Sequence, residues 1–136
     1  MQKIRVLFAD DHPGLVAVVQ SLLKREVDVV QCVDNGESLV EAAMKLHPDV
    51  IVTDISMPRL NGIEAVDRLR ESGCSSKVVF LTAHSDPDFR DAALKTGAIA
   101  YVLKFSVATD LLFAIQEALA GRVFVSFQNS RVLGFR

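Results

Sequence analysis

The chain has 136 residues, half of them hydrophobic and 24% charged, which describes one globular domain rather than a disordered segment or two separate cores. Fifteen basic side chains against seventeen acidic ones leave a formal charge of −2, so the basic excess that phosphate-backbone binding needs is missing. No direct binding to nucleic acid by this chain is expected.

No apolar run approaches the roughly eighteen residues of a membrane span. The opening MQKIRVLFADD meets charge too early for a secretory leader, so a cytoplasmic location is expected. Cys32 and Cys74 lack CxxC spacing and have no histidine beside them, which reads as reduced structural thiols rather than a zinc site.

Lys3 to Ala9 is mostly apolar and runs into Asp10-Asp11, as a buried strand ending in polar residues would. From Pro13, a good first-turn residue because its missing N–H costs nothing there, Leu15, Val16, Val19, Leu22 and Leu23 recur at helical spacing. Val27 to Val33 is β-branched and short, a second strand. After the turn Asp34-Asn35-Gly36, the residues Leu39, Val40, Ala43 and Leu46 mark a second helix that Pro48 stops. Asp49 to Asp54 is a third strand, and a loop from Ile55 to Asn61 leads to a third helix opened by Gly62. Lys77 to Thr82 makes a fourth strand, and a fourth helix of about Pro87 to Thr96 ends at Gly97. Ala100 to Leu103 is a fifth strand, and Val107, Leu111, Leu112, Ile115, Ala118 and Leu119 give a fifth helix.

Near-continuous apolar strands alternating with amphipathic helices predict an α/β, doubly wound parallel sheet with helices on both faces. In such sheets the site lies beyond the carboxyl ends of the strands, where strand order reverses. The residues to inspect are therefore Asp10, Asp11, Asp54, Thr82 with Ala83, and Lys104.

Three carboxylates in one cleft repel each other and call for a compensating cation. Hard oxygen donors with room for water suit Mg²⁺ better than zinc. Lys104 adds a compact positive charge and Thr82 a hydroxyl donor. A carboxylate nucleophile with a metal, a cation and a hydroxyl is the equipment for phosphoryl transfer to aspartate, a reaction of positioning and charge neutralisation.

The set Asp10-Asp11, Asp54, Thr82 and Lys104, within VLFADDHPGLV, VTDISMPRLNGIEA, LTAHSD, KTGAIAYVLK and ALAGRVFVS, resembles the receiver domain of bacterial two-component response regulators. It is most similar to the NarL/FixJ-like subgroup, whose members carry a LuxR-type helix-turn-helix output domain. The resemblance covers about Lys3 to Gly121 and implies a flavodoxin-like, five-stranded sheet of order 2-1-3-4-5. It implies that Asp54 accepts a phosphoryl group from a sensor histidine kinase. Asp11 and Asp54 would hold Mg²⁺ directly, Asp10 through water, and Ser56 through its backbone carbonyl. Lys104 would pair with the phosphoryl group, Thr82 would move to bond it, and Tyr101 would swing inward to change the surface near the fourth helix. The change would pass to an output domain, with transcription regulation as the outcome in the full-length protein, or to a partner that could be a second copy.

Each of these residues also has a plain structural reading. Asp10-Asp11 would serve as a helix cap, Asp54 as a turn residue, and Lys104 as a solvated lysine. All of those must hold at four adjacent strand ends for the site to vanish, and the joint reading is the site. Tyr101 is either core packing or the switch, and His84 either tunes water access to the phosphoryl group or is a surface residue. His12 is read as a first-turn residue near the acid pair, and His47 as a structural residue at a helix end. Phe105 follows Lys104 where many receivers have proline, and Ala100 stands where glycine is frequent.

Residues 1–121 are thus read as the receiver and 122–136 as a C-terminal tail or truncated linker, too short for a helix-turn-helix module. The tail holds Arg122, Arg131 and Arg136 and no acid, and its apolar residues call for a place to dock. Competing functions fit less well. A pseudo-receiver that binds partners without phosphate would ordinarily lack an acid or the lysine. A haloacid-dehalogenase-like hydrolase wants Asp-x-Asp at the first strand. A dinucleotide oxidoreductase wants G-x-G-x-x-G there. The chain is accordingly read as a signalling protein, not an enzyme.

Overall fold

A computed structural model describes residues 3–83 and 87–126. The strands are β1 (Ile4–Ala9), β2 (Val27–Val33), β3 (Val50–Asp54), β4 (Lys77–Thr82), β5 (Ala100–Leu103) and β6 (Phe124–Val125). The helices are α1 (Pro13–Leu23), α2 (Gly36–Leu46), α3 (Gly62–Glu71), α4 (Pro87–Lys95) and α5 (Val107–Leu119), with a 3-10 turn over Lys104–Ser106 ahead of α5.

All pairings are parallel, and the order is β2-β1-β3-β4-β5-β6. The expected order of the first five strands is present. The five-strand expectation is corrected by one: Phe124–Val125, from the segment read as tail, adds a short sixth strand beside β5. Its anchors are the Phe124 N–H to the Ile99 carbonyl (3.0 Å) and the Ser126 N–H to the Tyr101 carbonyl (2.8 Å). The Phe124 ring meets Phe113 of α5 edge-on, with centroids 5.4 Å apart.

Strand alternation divides the core into two layers. Val6 and Phe8 point with Val52, Leu81 and Val102 toward α1 and α5, where Val19, Leu23, Leu111 and Ile115 meet them. Leu7, Ile51 and Phe80 point the other way, against Leu39 of α2 and Ala65, Val66 and Leu69 of α3. Each fully buried large apolar side chain contributes roughly 1.5–3 kcal/mol to folding, so the central strands are held firmly from both faces.

Polar ties fix the ends of the layers. His47 takes a left-handed conformation (φ 49°) as the C-cap of α2, and its N–H bonds the Ala43 carbonyl. The Arg5 guanidinium donates to the Leu46 and His47 carbonyls at 2.8 and 3.0 Å, satisfying two acceptors at that helix end. The structural reading of His47 is thereby supported. Asn61 and Glu64 form a reciprocal capping box at the start of α3.

Candidate functional site

The site is assembled where β1, β3, β4 and β5 end. Asp10 follows β1, and its N–H is tied to the Val33 carbonyl at 3.0 Å. Asp54 closes β3 opposite Leu81 of β4, which sets Thr82 one residue beyond it, and Thr82 in turn pairs with Leu103 next to Lys104. Parallel register alone therefore draws the sequence-predicted residues to one edge of the sheet.

The loop after β3 is held so that Asp54 has little freedom. The Gly62 N–H reaches back to the Ile55 carbonyl at 2.8 Å, and a Cβ on Gly62 would lie 2.1 Å from the Asp54 carbonyl oxygen. The other side of the loop sits on the start of α2, where the Glu37 N–H donates to the Arg59 carbonyl at 3.1 Å. Arg59 and Leu60 both adopt positive φ, 50° and 95°, in that seat. A Cβ on Gly36 would fall 2.0 Å from the Leu60 carbonyl oxygen, so only glycine allows the approach.

Within this frame Asp10 is 2% exposed and Asp54 3%. The Lys104 ammonium donates to Asp54 Oδ2 at 2.8 Å and lies 3.0 Å from Asp10 Oδ2. Asp54 Oδ1 accepts from the Ser56 N–H at 3.2 Å. Asp11 is the more open acid, as expected of a residue in contact with solvent. Thr82 is buried at the end of β4. Tyr101 is buried too, its side chain inside the layer formed with α2 and α3. His84 lies outside the described residues.

Burial raises the Asp54 carboxyl above the ordinary carboxylate range; Lys104 opposes this, the Asp10 charge adds to it, and the Ser56 N–H lowers it. For Lys104, burial alone would lower the ammonium, but hydrogen bonding and charge from Asp54 and Asp10 outweigh it and the net shift is upward. The site thus holds an acid that resists ionisation and a base that stays protonated.

His12 belongs to the site, beyond the first-turn role read from sequence. Its Nδ1 lies 2.7 Å from Asp10 Oδ1, 3.1 Å from Asp11 Oδ1 and 3.8 Å from Asp54 Oδ2. One donor atom from each of Asp10, Asp11, His12 and Asp54 falls within 4.8 Å of all the others. The only sequence signal for it was its position directly after the acid pair.

At Phe105 the backbone makes the 3-10 turn Lys104–Ser106, and the described residues contain no cis peptide bond. Cys32 and Cys74 are free, half-buried thiols; burial pushes the Cys32 thiol up, opposed by the Gln20 amide that donates to it at 3.2 Å.

With the geometry in place, comparison with known proteins is decisive. Residues 6–116 match the response regulator receiver domain. The chain belongs to that family. The receiver span includes Asp10, Asp11, Asp54, Thr82 and Lys104. The nitrate/nitrite response regulator NarL of Escherichia coli K12 is 38% identical over 130 residues, covering 94% of this chain and 60% of the relative. The transcriptional regulatory protein YvfU of Bacillus subtilis is 40% identical over 124 residues, covering 89% of this chain and 62% of the relative. This receiver therefore spans about 60% of the length of those regulators. Among solved structures, the receiver domain of NarL from Mycobacterium tuberculosis superposes with TM-score 0.85 at 31% identity, covering 90% of this chain and 100% of that one. The RcsB response regulator of Salmonella typhimurium gives TM-score 0.85 at 29% identity, covering 98% of this chain and 68% of that one. Among the described residues no helix of this receiver is long and apolar enough to cross a membrane.

Proposed function

We propose that this receiver is a phosphorylation-activated switch whose acceptor is Asp54. The observation that carries the reading is the convergence of Lys104 with two buried carboxylates, its Nζ 2.8 Å from Asp54 Oδ2 and 3.0 Å from Asp10 Oδ2. An Asp54 oxygen forms the new bond to phosphorus as the N–P bond of a sensor kinase's phosphohistidine breaks and the imidazole departs. The raised basicity of Asp54 makes its ionised form a better nucleophile, and Lys104 keeps that form available. Lys104 then pairs with the phosphoryl oxygens, and Thr82 bonds a further one.

The donor set fits a hard divalent cation: three carboxylates, with one buried oxygen, Asp10 Oδ2, whose only polar partner among the described residues is the Lys104 ammonium. Asp11 and Asp54 would hold Mg²⁺ directly, with Asp10 through water and the Ser56 carbonyl completing the set. Bound there, it supplies charge neutralisation for the incoming phosphoryl group.

The new charge biases a two-state surface at β4, β5 and α4, with Thr82 and Tyr101 as its moving parts and His84 as a tuning residue. The change passes to an output domain of a longer protein or to a partner, including a second copy of the chain. In this reading residues 1–121 are the signalling unit, 122–136 connect it onward, and the outcome is transcription regulation, as the name of YvfU suggests for that relative.

One observation favours a second reading, a pseudo-receiver that works without phosphate: Tyr101 is already inside in the unmodified chain. Intact mass after incubation with acetyl phosphate and Mg²⁺, for wild type and Asp54→Asn, separates the two. A base-labile gain of one phosphoryl group in wild type alone is expected. A folded wild type that gains nothing refutes the switch and favours the pseudo-receiver.

A further inference from the structure

His12 is the N-cap residue of α1, yet its side chain makes no capping hydrogen bond to the helix. The ring turns back toward the acids. Its Nδ1 is 2.7 Å from Asp10 Oδ1, 3.1 Å from Asp11 Oδ1, 3.8 Å from Asp54 Oδ2 and 3.1 Å from Lys104 Nζ. Donors in an octahedral shell of about 2.1 Å radius stand roughly 3 Å apart when adjacent and roughly 4.2 Å apart when opposite, and the spacings to Asp11 and Asp54, the two acids that would hold the ion directly, fall within that span.

A ring nitrogen has one proton or one lone pair. It cannot donate to the Asp10 carboxylate and accept from the Lys104 ammonium at once. A divalent cation among these groups removes the conflict, because the lone pair of Nδ1 then points at the ion together with the carboxylates. Asp10 Oδ2 points into the same cluster. Its side chain is fully buried and, among the described residues, this oxygen has only the Lys104 ammonium at 3.0 Å as a polar partner, which leaves it lone-pair capacity for a cation and its waters. At 62% exposure the His12 ring is free to shift by the few tenths of an ångström that ligation needs.

We propose that His12 is a nitrogen ligand of the cation site, which makes the protein donor set mixed rather than all-oxygen and turns selectivity toward first-row transition cations such as Mn²⁺. The inference rests on the cation site of the proposed function and refines its ligands. Imidazole is a poor partner for Mg²⁺, which prefers oxygen and keeps its waters, whereas transition cations accept nitrogen readily. A receiver so equipped responds to the ratio of Mn²⁺ to Mg²⁺ as well as to its kinase.

The test is pulsed EPR on the full chain loaded with Mn²⁺, with unlabelled protein and with protein selectively labelled with ¹⁵N-histidine. Directly bonded nitrogen coupling is expected, changing from ¹⁴N to ¹⁵N on labelling and disappearing in His12→Ala. Titration of the same two proteins should show Mn²⁺ affinity falling roughly tenfold in the variant while Mg²⁺ affinity changes by less than about threefold. If Mn²⁺ binds, is lost in Asp54→Asn, and shows no histidine nitrogen coupling in wild type, the inference is overturned while the cation site stands. If folded wild type binds neither ion, both the inference and the cation site fall.

Discussion

Asp54 and Lys104, 50 residues apart in the chain, meet at 2.8 Å because β3 and β5 flank β4 and all three end on the same edge. The Lys104 side chain is 15% exposed and faces two acids that are almost wholly buried. A single cation thus stands against two inward-facing carboxylates, and the more open Asp11 adds a third negative charge nearby.

Removing that cation should be costly for folding. Lys104→Ala leaves Asp10 and Asp54 facing each other without the ammonium they share, and we expect a loss of about 2 kcal/mol at pH 7, below the full value for a buried pair because the lysine is partly solvated. The folded-state pKa of Lys104 is raised, so its contribution is complete below the ordinary lysine value and is lost as pH climbs through the higher folded value. The wild-type advantage in urea melts should therefore persist from neutral pH to about pH 10 and shrink above it. An advantage that is flat through that alkaline range would contradict the electrostatic account. In phosphorylation assays the same variant should still accept phosphate slowly while its NMR spectrum fails to shift as the wild type's does.

The neutral isostere at Asp54 should act in the opposite direction. Asp54→Asn leaves Lys104 paired with Asp10 and removes one of two repelling acids, so it should stabilise the fold by on the order of 1 kcal/mol at neutral pH. The carboxyl of Asp54 is raised, so folding favours its neutral form. Near pH 3 the side chain is protonated whether folded or unfolded, and the two proteins should melt alike. As pH rises through the ordinary carboxylate value and then the raised one, ionisation costs the wild type stability and the gap opens. Thermal melts from pH 3 to 7 check this, and a gap that widened toward low pH would refute it.

Backbone closeness at Gly62 makes a steric prediction. Gly62→Ala puts a methyl group 2.1 Å from the Asp54 carbonyl, inside any allowed contact, so the loop that positions Asp54 must move. A loss of roughly 3 kcal/mol is expected, with slower acceptance of phosphate. Gly14 is the control: it is helical, a Cβ there meets nothing within 4 Å, and Gly14→Ala should be neutral or stabilise by up to about 1 kcal/mol. Equal melting temperatures for the two variants would show that the loop yields freely.

The strands were legible because short β-branched runs end at unmistakable turn residues; Val27–Val33 and Ala100–Leu103 have the limits the sequence suggested. The acid cluster was legible for a topological reason, since strand ends in a parallel sheet share an edge and Asp10, Asp11, Asp54 and Lys104 all occupy them. His12 was not, because its ring turns back onto Asp10 and Asp11 rather than capping α1, and it also meets Lys104, 92 residues away, a contact no spacing pattern encodes. The seat of the β3–α3 loop on α2 was equally hidden: Arg59 and Leu60 carry positive φ with no glycine or asparagine to announce it. Phe124–Val125 carries no signal of its own, because a short apolar run such as Val123-Phe124-Val125 looks the same in a linker and in an edge strand.

That sixth strand supports the last prediction. Beyond its backbone bonds to β5, the segment after Gly121 supplies the Ser126 hydroxyl, which donates to Asp110 Oδ2 of α5 at 2.7 Å, and Arg122, which pairs with Glu117 at 2.9 Å. Phe124 also covers part of Phe113, whose other side remains in solvent. Ending the chain at Gly121 should therefore lower stability by about 1–2 kcal/mol through lost hydrogen bonds and apolar burial, without unfolding the five remaining strands. It should also bare Phe113 beside β5 and promote self-association through that face. Calorimetry and sedimentation of the 121-residue chain against the full one decide it. If both melting temperature and sedimentation coefficient per unit mass were unchanged, β6 would be an ornament of the sheet and not part of its support.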